Sequence, residues 1–426
     1  MMFDLNTIRG QFPSLSIKDG DVPRVYFDNP GGTQVPQMVV DAMTRCLLES
    51  NTNIQGFFRT SNAVDALIED AHQAVADLLN APSRDEIVFG QNMTTLTLYM
   101  SRSIGRCFKP GDEIVLSRMC HEGNIGPWLL LARDLGLEVR WLPFNTETFE
   151  FDLEKLDDVL TEKTKLVCVG GASNMTGTIN DIKSITAKAH DVGAWTYIDA
   201  VQSVPHVSTD VQDLDCDFLV CSSYKYFGPH QGTLWGRREI MESLEPYKVR
   251  PAPEEIPACF ETGTQNHEGM AGTAAAIDYF AWIGETMAGE YQGRYSHFKG
   301  RRKFVHAAMD CLFAYERELT EHLINGLQQL PGVRIQGITA ADAMYRRVPT
   351  VSFTVDGVSS DSIAEGLAAQ NIFVWSGDYY AVEAAKALGI LESGAVRIGP
   401  VHYNSIDEID QALVALDNIL PRAHVA

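Results

Sequence analysis

A regular alternation of helical and extended patterns between about residues 60 and 235 constrains the fold of this chain more than any other feature. Amphipathic helical segments such as VDALIEDAHQAVADLLN alternate with short Val- and Ile-rich runs such as EIVFG, DEIVLS and KLVCVGG. These runs are apolar on both faces, which is typical of strands in a parallel sheet that helices cover on both sides. The pattern therefore predicts an α/β fold with a mostly parallel sheet.

The pattern becomes less regular after about residue 290. A long polar helix is predicted over 293–330, and the strand patterns GVRIQG, TVSFTV and AVRIGP follow it. A length of 426 residues fits two domains,. We predict a large α/β domain over 25–290 and a smaller α+β domain formed by 1–24 together with 291–426.

Charge and composition exclude several classes of function. With 34 basic and 56 acidic side chains, the formal net charge is −22, which disfavours binding to nucleic acid or to an anionic membrane surface,. No run approaches the ~18 apolar residues of a membrane span, and the first residues lack the pattern of a signal peptide, so we expect a cytoplasmic protein. The eight cysteines form no C-x-x-C pair. We therefore expect reduced, mostly buried thiols and no metal site.

Two charged side chains follow neighbouring strand patterns and point to a cofactor. Asp199 ends the run AWTYID, and Lys225 comes shortly after the run FLVCSS. In open α/β sheets, ligands bind at the carboxyl ends of the strands. An Asp and a Lys placed there suit pyridoxal 5′-phosphate (PLP), because the amine forms a Schiff base with the aldehyde and the carboxylate keeps the pyridine nitrogen protonated. Taken singly, an Asp at this position more often caps a turn, and a Lys is more often simply solvated.

Eight motifs, in collinear order, resemble the class V aminotransferases of fold type I, and within them the cysteine desulfurase and selenocysteine lyase branch. The motifs are YFDNPGGTQVP at 26–36, FGQNMTTL at 89–96, CHEGNIGPW at 120–128, SNMTGTIND at 173–181, YIDAVQSVPH at 197–206, SSYKYFGP at 222–229, ETGTQN at 261–266 and VRIGPVHYN at 396–404. The resemblance implies a fold type I PLP-dependent transferase fold, in which a seven-stranded, mostly parallel sheet lies between helices and a smaller α+β domain follows. It also implies PLP as the cofactor, an amino-acid substrate and a homodimer with the active site at the interface between the large domain, the small domain and the partner subunit.

The resemblance assigns roles around the cofactor ring. It implies that Lys225 forms the Schiff base and moves the Cα proton, and that Asp199 pairs with the pyridine nitrogen. His121 matches a histidine that stacks on the ring, and a purely structural histidine is the alternative. Gln202 matches the residue that bonds the phenolic oxygen. Asn174 matches one that lies near that oxygen and the substrate carboxylate.

The resemblance also places the cofactor phosphate. Thr94, with its neighbours Met93 and Thr95, lies at a predicted turn from strand to helix, where free N–H groups and hydroxyls bind phosphate. An ordinary helix N-cap is compatible with that role. Ser222 matches a phosphate-binding hydroxyl. Thr264 matches a threonine that reaches the same phosphate from the partner subunit.

The substrate side of the predicted site combines an arginine with aromatic residues. Arg397, in the strand pattern AVRIG, matches the arginine that binds the substrate α-carboxylate with its planar fork. Trp375 stands where relatives have a loop arginine, and Tyr380, with its neighbour Tyr379, lies near the place where cysteine desulfurases carry the cysteine that attacks substrate sulfur. We expect Trp375 and Tyr380 to contact the substrate, with simple packing under a loop as the alternative. Tyr224 replaces the histidine that usually precedes the Schiff-base lysine, and we place it at the cofactor.

The missing loop cysteine decides between related reactions. No cysteine follows Cys311 in the sequence, so a persulfide relay through the loop around residues 370–385 is excluded. We predict a PLP-dependent enzyme that binds an amino acid covalently, forms a Cα carbanion and carries out a lyase-type β-elimination. An aminotransferase or an amino-acid epimerase is the alternative, since these enzymes share the first steps. A catalytically silent binding protein is a further alternative, which the intact Lys225, Asp199 and Arg397 argue against.

Overall fold

The structure, a computed structural model, describes residues 3–420 of the chain. The α-helices in this range are α1 (Leu5–Arg9), α2 (Gln37–Glu49), α3 (Arg59–Leu78), α4 (Met93–Gly105), α5 (Gly126–Leu135), α6 (Leu153–Val159), α7 (Ile182–Asp191), α8 (Val211–Leu214), α9 (Arg238–Ser243), α10 (His267–Thr286), α11 (Gly300–Leu327), α12 (Ser360–Ala368), α13 (Val382–Ala387) and α14 (Ile406–Ile419). The strands in this range are β1 (Lys18–Asp19), β2 (Val22–Pro23), β3 (Val25–Tyr26), β4 (Ile87–Gly90), β5 (Glu113–Ser117), β6 (Glu138–Leu142), β7 (Phe144–Asn145), β8 (Glu150–Phe151), β9 (Thr164–Gly170), β10 (Trp195–Asp199), β11 (Phe218–Ser222), β12 (Gly232–Gly236), β13 (Val333–Gln336), β14 (Val351–Val355), β15 (Ile372–Phe373), β16 (Trp375–Gly377) and β17 (Ala395–Ile398).

The large sheet has seven strands in the order β4-β12-β11-β10-β9-β5-β6, with β12 antiparallel to both of its neighbours. Successive residues of its strands point to opposite faces of the sheet, and each face has its own hydrophobic core. Ile198 and Leu219 pack in one core, and Tyr197 and Val220 pack in the other. Both faces are therefore covered, which explains the continuous apolar runs in the sequence. The predicted α/β class with a mostly parallel seven-stranded sheet is confirmed.

The carboxyl ends of the parallel strands bring residues from distant parts of the chain to one edge of this sheet. Gly170 ends β9, Asp199 ends β10 and Ser222 ends β11. Strand β4 runs in the same direction and is followed directly by α4. This edge is where an open α/β sheet binds its ligands.

A four-stranded antiparallel sheet with the order β13-β14-β17-β16 forms the C-terminal part. Arg397 on β17 lies opposite Ser352 on β14 and Trp375 on β16. Near the N-terminus, β3 pairs in parallel with β15, so the chain just before residue 28 runs along this C-terminal part. That pairing carries the following turn to the edge of the large sheet.

Helix α11 joins the two cores. Val305 and Leu312 in its first half pack in the core of the large sheet, and Leu319 and Leu323 in its second half pack with the C-terminal sheet. The helix begins at Gly300 and not at residue 293 as expected, because the φ of +55° at Gly300 prevents a right-handed helix from running through this residue from the preceding segment,.

The predicted division between 25–290 and the combined 1–24 and 291–426 stays a prediction, and its ends, 1–2 and 421–426, lie outside the described residues. Within residues 3–420, no helix has both the length and the apolar character needed to span a lipid bilayer.

Candidate active site

A cavity of about 330 Å³ lies where the carboxyl edge of the large sheet meets β16 and β17. Most of the site residues predicted from the sequence line it, namely Met93, Thr94, His121, Asn174, Asp199, Gln202, Ser222, Tyr224, Lys225, Trp375, Tyr380 and Arg397. Thr95 and Thr264 line a different cavity, of about 290 Å³, beside the start of α4. The fold thus gathers residues that span more than three hundred positions in sequence around one space.

Lys225 presents an amine of unusual reactivity to this cavity. It ends a short 3₁₀ turn directly after β11, and its Nζ donates hydrogen bonds to the carbonyl oxygens of Pro30 and Gly31, the latter at 2.9 Å. Burial, helped by the charge of Arg397, lowers the pKa of Lys225 to about 7. A large fraction of the amine is therefore neutral near neutral pH, and the neutral amine is the form that attacks a carbonyl.

Asp199 supplies a buried carboxyl group to the same cavity. Its side chain is 6% exposed, and its Oδ1 accepts a hydrogen bond from the N–H of Val201 at 3.0 Å. Burial raises the pKa of Asp199 to about 6. A cationic partner such as a protonated aromatic nitrogen would stabilise the ionised form of this carboxyl group.

His121 is held as a neutral ring. Its Nδ1 accepts a hydrogen bond from the N–H of Gly123 at 2.9 Å, so the proton of the neutral ring is on Nε2,. Burial lowers the pKa of His121 to about 4, and the charges of Lys225 and Arg397 act in the same direction. The ring stacks on Tyr380, with centroids 5.7 Å apart. This flat, uncharged ring is suited to lie against another aromatic ring.

The start of α4 forms a corner of the cavity that is suited to an anion. Asn92 is the N-cap, and its Oδ1 accepts hydrogen bonds from the N–H of Thr95 at 2.9 Å and from its hydroxyl at 3.1 Å. The N–H of Met93 donates to Ser222 Oγ at 3.0 Å. The N–H of Thr94 has no acceptor within residues 3–420, and Thr94 lines the cavity. A helix start with a free N–H and nearby hydroxyls favours a phosphate group.

Arg397 and Asn174 leave two buried polar atoms without partners. Arg397 is 4% exposed; its Nη1 donates to the carbonyl of Asn174 at 3.1 Å and its Nη2 to Asp28 Oδ1 at 3.2 Å. Neither Arg397 Nε nor Asn174 Oδ1 has a hydrogen-bond partner in the described part of the chain. Buried polar atoms are rarely left unpaired in proteins, so this corner is suited to a ligand that both accepts and donates hydrogen bonds.

Asp28 is a functional candidate that the sequence analysis missed. It lines the cavity and forms an ion pair with Arg397. Its position after β3 and before an Asn-Pro-Gly-Gly turn was a usable signal, because polar residues at strand ends often face a binding site,. Asn92 and Cys120 also line the cavity without having been predicted.

The segment that the resemblance aligns with the cysteine loop of desulfurases is a strained turn. Tyr379 and Tyr380 have φ values of +56° and +58°, in the left-handed region that bulky residues rarely adopt,. Hydrogen bonds hold this turn: Asn174 Nδ2 donates to the Tyr379 carbonyl at 2.8 Å, and the N–H of Glu122 donates to the Tyr380 carbonyl at 2.7 Å. The side chains of Tyr380 and Trp375 are 70% and 56% exposed, and they form the outer rim of the cavity.

Cys120 is the cysteine that lines the cavity. Burial raises the pKa of its thiol to about 12, and the nearby carboxylate of Asp199 adds to that shift. The thiol is therefore protonated at neutral pH and is a poor nucleophile. Within residues 3–420, no group of three or more His, Cys, Asp or Glu side chains is arranged to hold a metal ion.

Comparison with known proteins identifies the family of this chain. The sequence matches the family described as Aminotransferase class-V over residues 25–299 and 303–412. It is 32% identical to an aminotransferase-like protein, FGM3, of Gibberella zeae, over 98% of this chain and 99% of that protein. It is 33% identical to a probable cysteine desulfurase of Streptomyces coelicolor, over 98% of this chain and 97% of that protein.

Solved structures agree with the sequence matches. The cysteine desulfurase from Thermococcus onnurineus superimposes with a TM-score of 0.86 at 28% identity, covering 98% of each chain. The cysteine desulfurase CsdA from Escherichia coli superimposes with a TM-score of 0.82 at 26% identity, covering 98% of this chain and 99% of that one. The family and the fold class expected from the sequence are therefore confirmed, and the chain is an enzyme of the class V aminotransferase family.

Proposed function

We propose that this protein is a PLP-dependent enzyme that acts on an amino acid by a lyase-type reaction at Cα and Cβ. One observation carries the proposal: three groups surround a single cavity. They are the amine of Lys225, whose pKa is lowered, the buried carboxyl group of Asp199 and the start of α4. An amine for the aldehyde, a carboxyl for the ring nitrogen and a helix start for the phosphate are the three contacts that PLP requires.

The residues present fit this cofactor. Thr94, Met93 and Ser222 would hold the phosphate, because the free N–H of Thr94 and the two hydroxyls lie at the start of α4. His121 would cover the ring with its neutral imidazole. Gln202 lines the cavity, and its Nε2 now donates to the Pro30 carbonyl at 2.9 Å. The bound cofactor supplies an electron sink that stabilises negative charge at Cα of an attached amino acid.

The chain's own residues account for binding and proton transfer. Arg397 would bind the α-carboxylate, because its buried Nε–H has no acceptor in the described part of the chain, and Asn174, whose buried Oδ1 has no donor there, would accept a hydrogen bond from an N–H or O–H group of the bound ligand. Lys225 would take the Cα proton, since a pKa of about 7 gives its amine both a neutral and a protonated form at working pH,. Trp375 and Tyr380 would limit water at the outer rim.

The position of Thr264 and a set of exposed apolar side chains support a second copy of the chain next to the site. Thr264 lines the cavity beside α4 together with Thr95, and it does not line the cavity that holds Lys225 and Asp199. Leu48, Phe57 and Phe58 are exposed apolar side chains, which an interface between subunits would cover,. We propose a homodimer with Thr264 of each subunit serving the other, which light scattering tests. The cytoplasmic location stays a prediction.

The chemistry of the loop favours direct elimination over sulfur transfer. Several relatives are named cysteine desulfurases, but the corresponding loop here offers tyrosines, and the thiol of Cys120 is held protonated by burial. Elimination from cysteine with addition of water yields pyruvate, ammonia and hydrogen sulfide, which balances without a protein thiol. An aminotransferase or epimerase reaction is the second candidate, which the similarity to an aminotransferase-like protein supports.

Product analysis with cysteine and related amino acids tests this proposal. We expect pyruvate, ammonia and sulfide in equal amounts, no alanine, and an intact-chain mass without added sulfur. Lys225→Ala is the control and should form none of these products. Stoichiometric alanine with a persulfidated chain would contradict elimination. A pyridoxamine form of the cofactor with a keto acid, or a racemised amino acid, would establish the second candidate instead.

A further inference from the structure

Arg397 has a half-occupied fork. In a guanidinium group, the Nε–H and one N–H of Nη2 point the same way and together bind the two oxygens of a carboxylate. Here Nη2 donates to Asp28 Oδ1 at 3.2 Å, whereas the buried Nε has no acceptor within residues 3–420. Asp28 therefore pairs with one of the two nitrogens of this fork, and the other nitrogen, Nε, is left for an oxygen of a ligand.

The turn after β3 is built to hold Asp28 there. The N–H groups of Gly31 and Gly32 donate to the Asp28 carbonyl at 3.0 and 3.1 Å, which folds the turn back over its own first residue. A Cβ atom at Gly31 would clash with the Asp28 carboxylate, so glycine at this position leaves room for that side chain. Asn29 Nδ2 donates to the Gly399 carbonyl at 2.6 Å and fixes the turn to the end of β17.

The same turn also serves the lysine. The carbonyl oxygens of Pro30 and Gly31 accept hydrogen bonds from Lys225 Nζ. Asp28 thus stands between the carboxylate-binding arginine and the amine-binding lysine, at the two places where the charged groups of an amino acid must arrive. Its side chain is 27% exposed, so an incoming ligand has access to it.

We propose that Asp28 is a specificity-determining residue that selects α-amino acids over carboxylates without an amine. The substrate carboxylate takes the whole fork of Arg397, and the released Asp28 carboxylate receives the substrate ammonium group. An amino acid exchanges one ion pair for two, whereas a plain carboxylate leaves Asp28 without a partner beside the anion that displaced it. This role rests on the proposed function, because it assumes that Arg397 binds the carboxylate of an amino acid.

Alanine and propionate form a matched pair of probes, since they differ only in the amine. Ligand-observed NMR titration of the full-length chain before cofactor is added measures their affinities without turnover. We expect the wild-type chain to bind alanine about tenfold or more tighter than propionate, as charge-assisted contacts allow. Asp28→Asn should raise the affinity for propionate and reduce the ratio to about one.

Two control variants separate the possible outcomes. Asp19→Asn removes an exposed carboxylate of the same N-terminal segment, which pairs with Arg24, and should leave the ratio unchanged. Circular dichroism melting shows whether Asp28→Asn is folded, and Asp28→Glu, which keeps the charge, should restore part of the preference for alanine. An unchanged ratio in folded Asp28→Asn would overturn the role of Asp28. Unchanged binding of both probes in Arg397→Ala would instead overturn the carboxylate site of the proposed function.

Discussion

At the scale of single residues, the environment of Lys225 makes a prediction about pH. Burial and the charge of Arg397 lower its pKa to about 7. Its reactivity toward an acylating reagent should therefore rise as the pH passes through about 7 and level off above it, whereas an ordinary lysine continues to gain reactivity up to about pH 10. Competitive acetylation of the cofactor-free chain, read by peptide mass spectrometry, measures this profile.

Arg397→Met provides the matched variant for that profile. Removing the arginine charge should move the midpoint of Lys225 to higher pH, because a nearby positive charge disfavours the protonated amine. Surface lysines such as Lys163 serve as internal standards in the same digest. A midpoint for Lys225 near that of the surface lysines would show that the cavity does not depress its pKa.

Residues with distinctive side-chain chemistry can be predicted from the sequence, whereas residues whose importance depends on tertiary contacts cannot. Lys225 and Asp199 are predictable because their side chains have a direct chemical use at the ends of strand patterns, and Arg397 is predictable from the resemblance of the motif VRIGPVHYN. Asp28 was missed because its importance comes from a turn that packs against β17, which no local pattern reveals. The paired strain at Tyr379 and Tyr380 also depends on contacts with distant residues.

At the scale of elements, the start of α4 should couple stability to anion binding. Asn92→Ala removes the N-cap acceptor for Thr95, which should lower the free energy of unfolding by about 1 kcal/mol. The same change should weaken binding of inorganic phosphate, because the first turn of α4 loses its fixed position at the cavity. Urea unfolding and phosphate titration by calorimetry measure the two effects.

A comparable side-chain acceptor in a turn elsewhere in the chain separates the effect on phosphate binding from the effect on stability. Asn145 Oδ1 accepts hydrogen bonds from the N–H groups of Glu147 and Thr148 in the turn between β7 and β8, away from the cavity. Asn145→Ala should cost stability but leave phosphate affinity unchanged. Equal phosphate affinity in Asn92→Ala and the wild-type chain would remove α4 from the anion site.

Elements were predictable where their periodicity was strong. The strands and helices of the large sheet follow from apolar runs and amphipathic segments that need no tertiary information. Strand β12 was not predicted, because its pairing with β4 and β11 is a long-range contact of the glycine-flanked sequence GTLWG. Gly232 in that strand allows a close approach that a longer residue would block: an added Cβ would lie 2.5 Å from the Asn92 carbonyl carbon.

At the scale of the whole molecule, Glu316 ties α11 to both the large and the C-terminal parts. It is fully buried, accepts a hydrogen bond from the His402 N–H at 3.1 Å and pairs with His206 Nδ1 at 2.8 Å. Burial raises the pKa of its carboxyl, but the opposing effect of His206 and His402 is greater, and the net pKa is lowered. His206 follows the turn after β10, and His402 follows β17.

Glu316→Gln should therefore destabilise the fold by about 3–5 kcal/mol, as expected when one partner of a buried pair is removed. A carboxyl whose pKa is lowered by folding stabilises the folded state above its unfolded pKa, here 4.5, and loses that contribution as the pH falls below it,. The difference between wild type and variant should consequently shrink in acid. A difference in unfolding free energy that is constant from neutral to acidic pH would contradict this role.

The overall architecture is predictable because many weak local signals agree, whereas the individual contacts that join its two parts are not. The resemblance in eight motifs identified the family, and the alternating pattern identified the large sheet. The shared helix α11 and the buried contacts of Glu316 arise only when the two parts are packed together. No pattern within either part contains that information.

Covalent trapping of the cofactor identifies the residue that forms the Schiff base with PLP. The chain is incubated with PLP, reduced with borohydride, digested and mapped by mass spectrometry, with Lys225→Ala treated in parallel. We predict one modified peptide, carrying the reduced cofactor on Lys225, and no modified peptide in the variant. A label on another lysine, or a label retained at equal yield in Lys225→Ala, would contradict the account of this cavity as a PLP site.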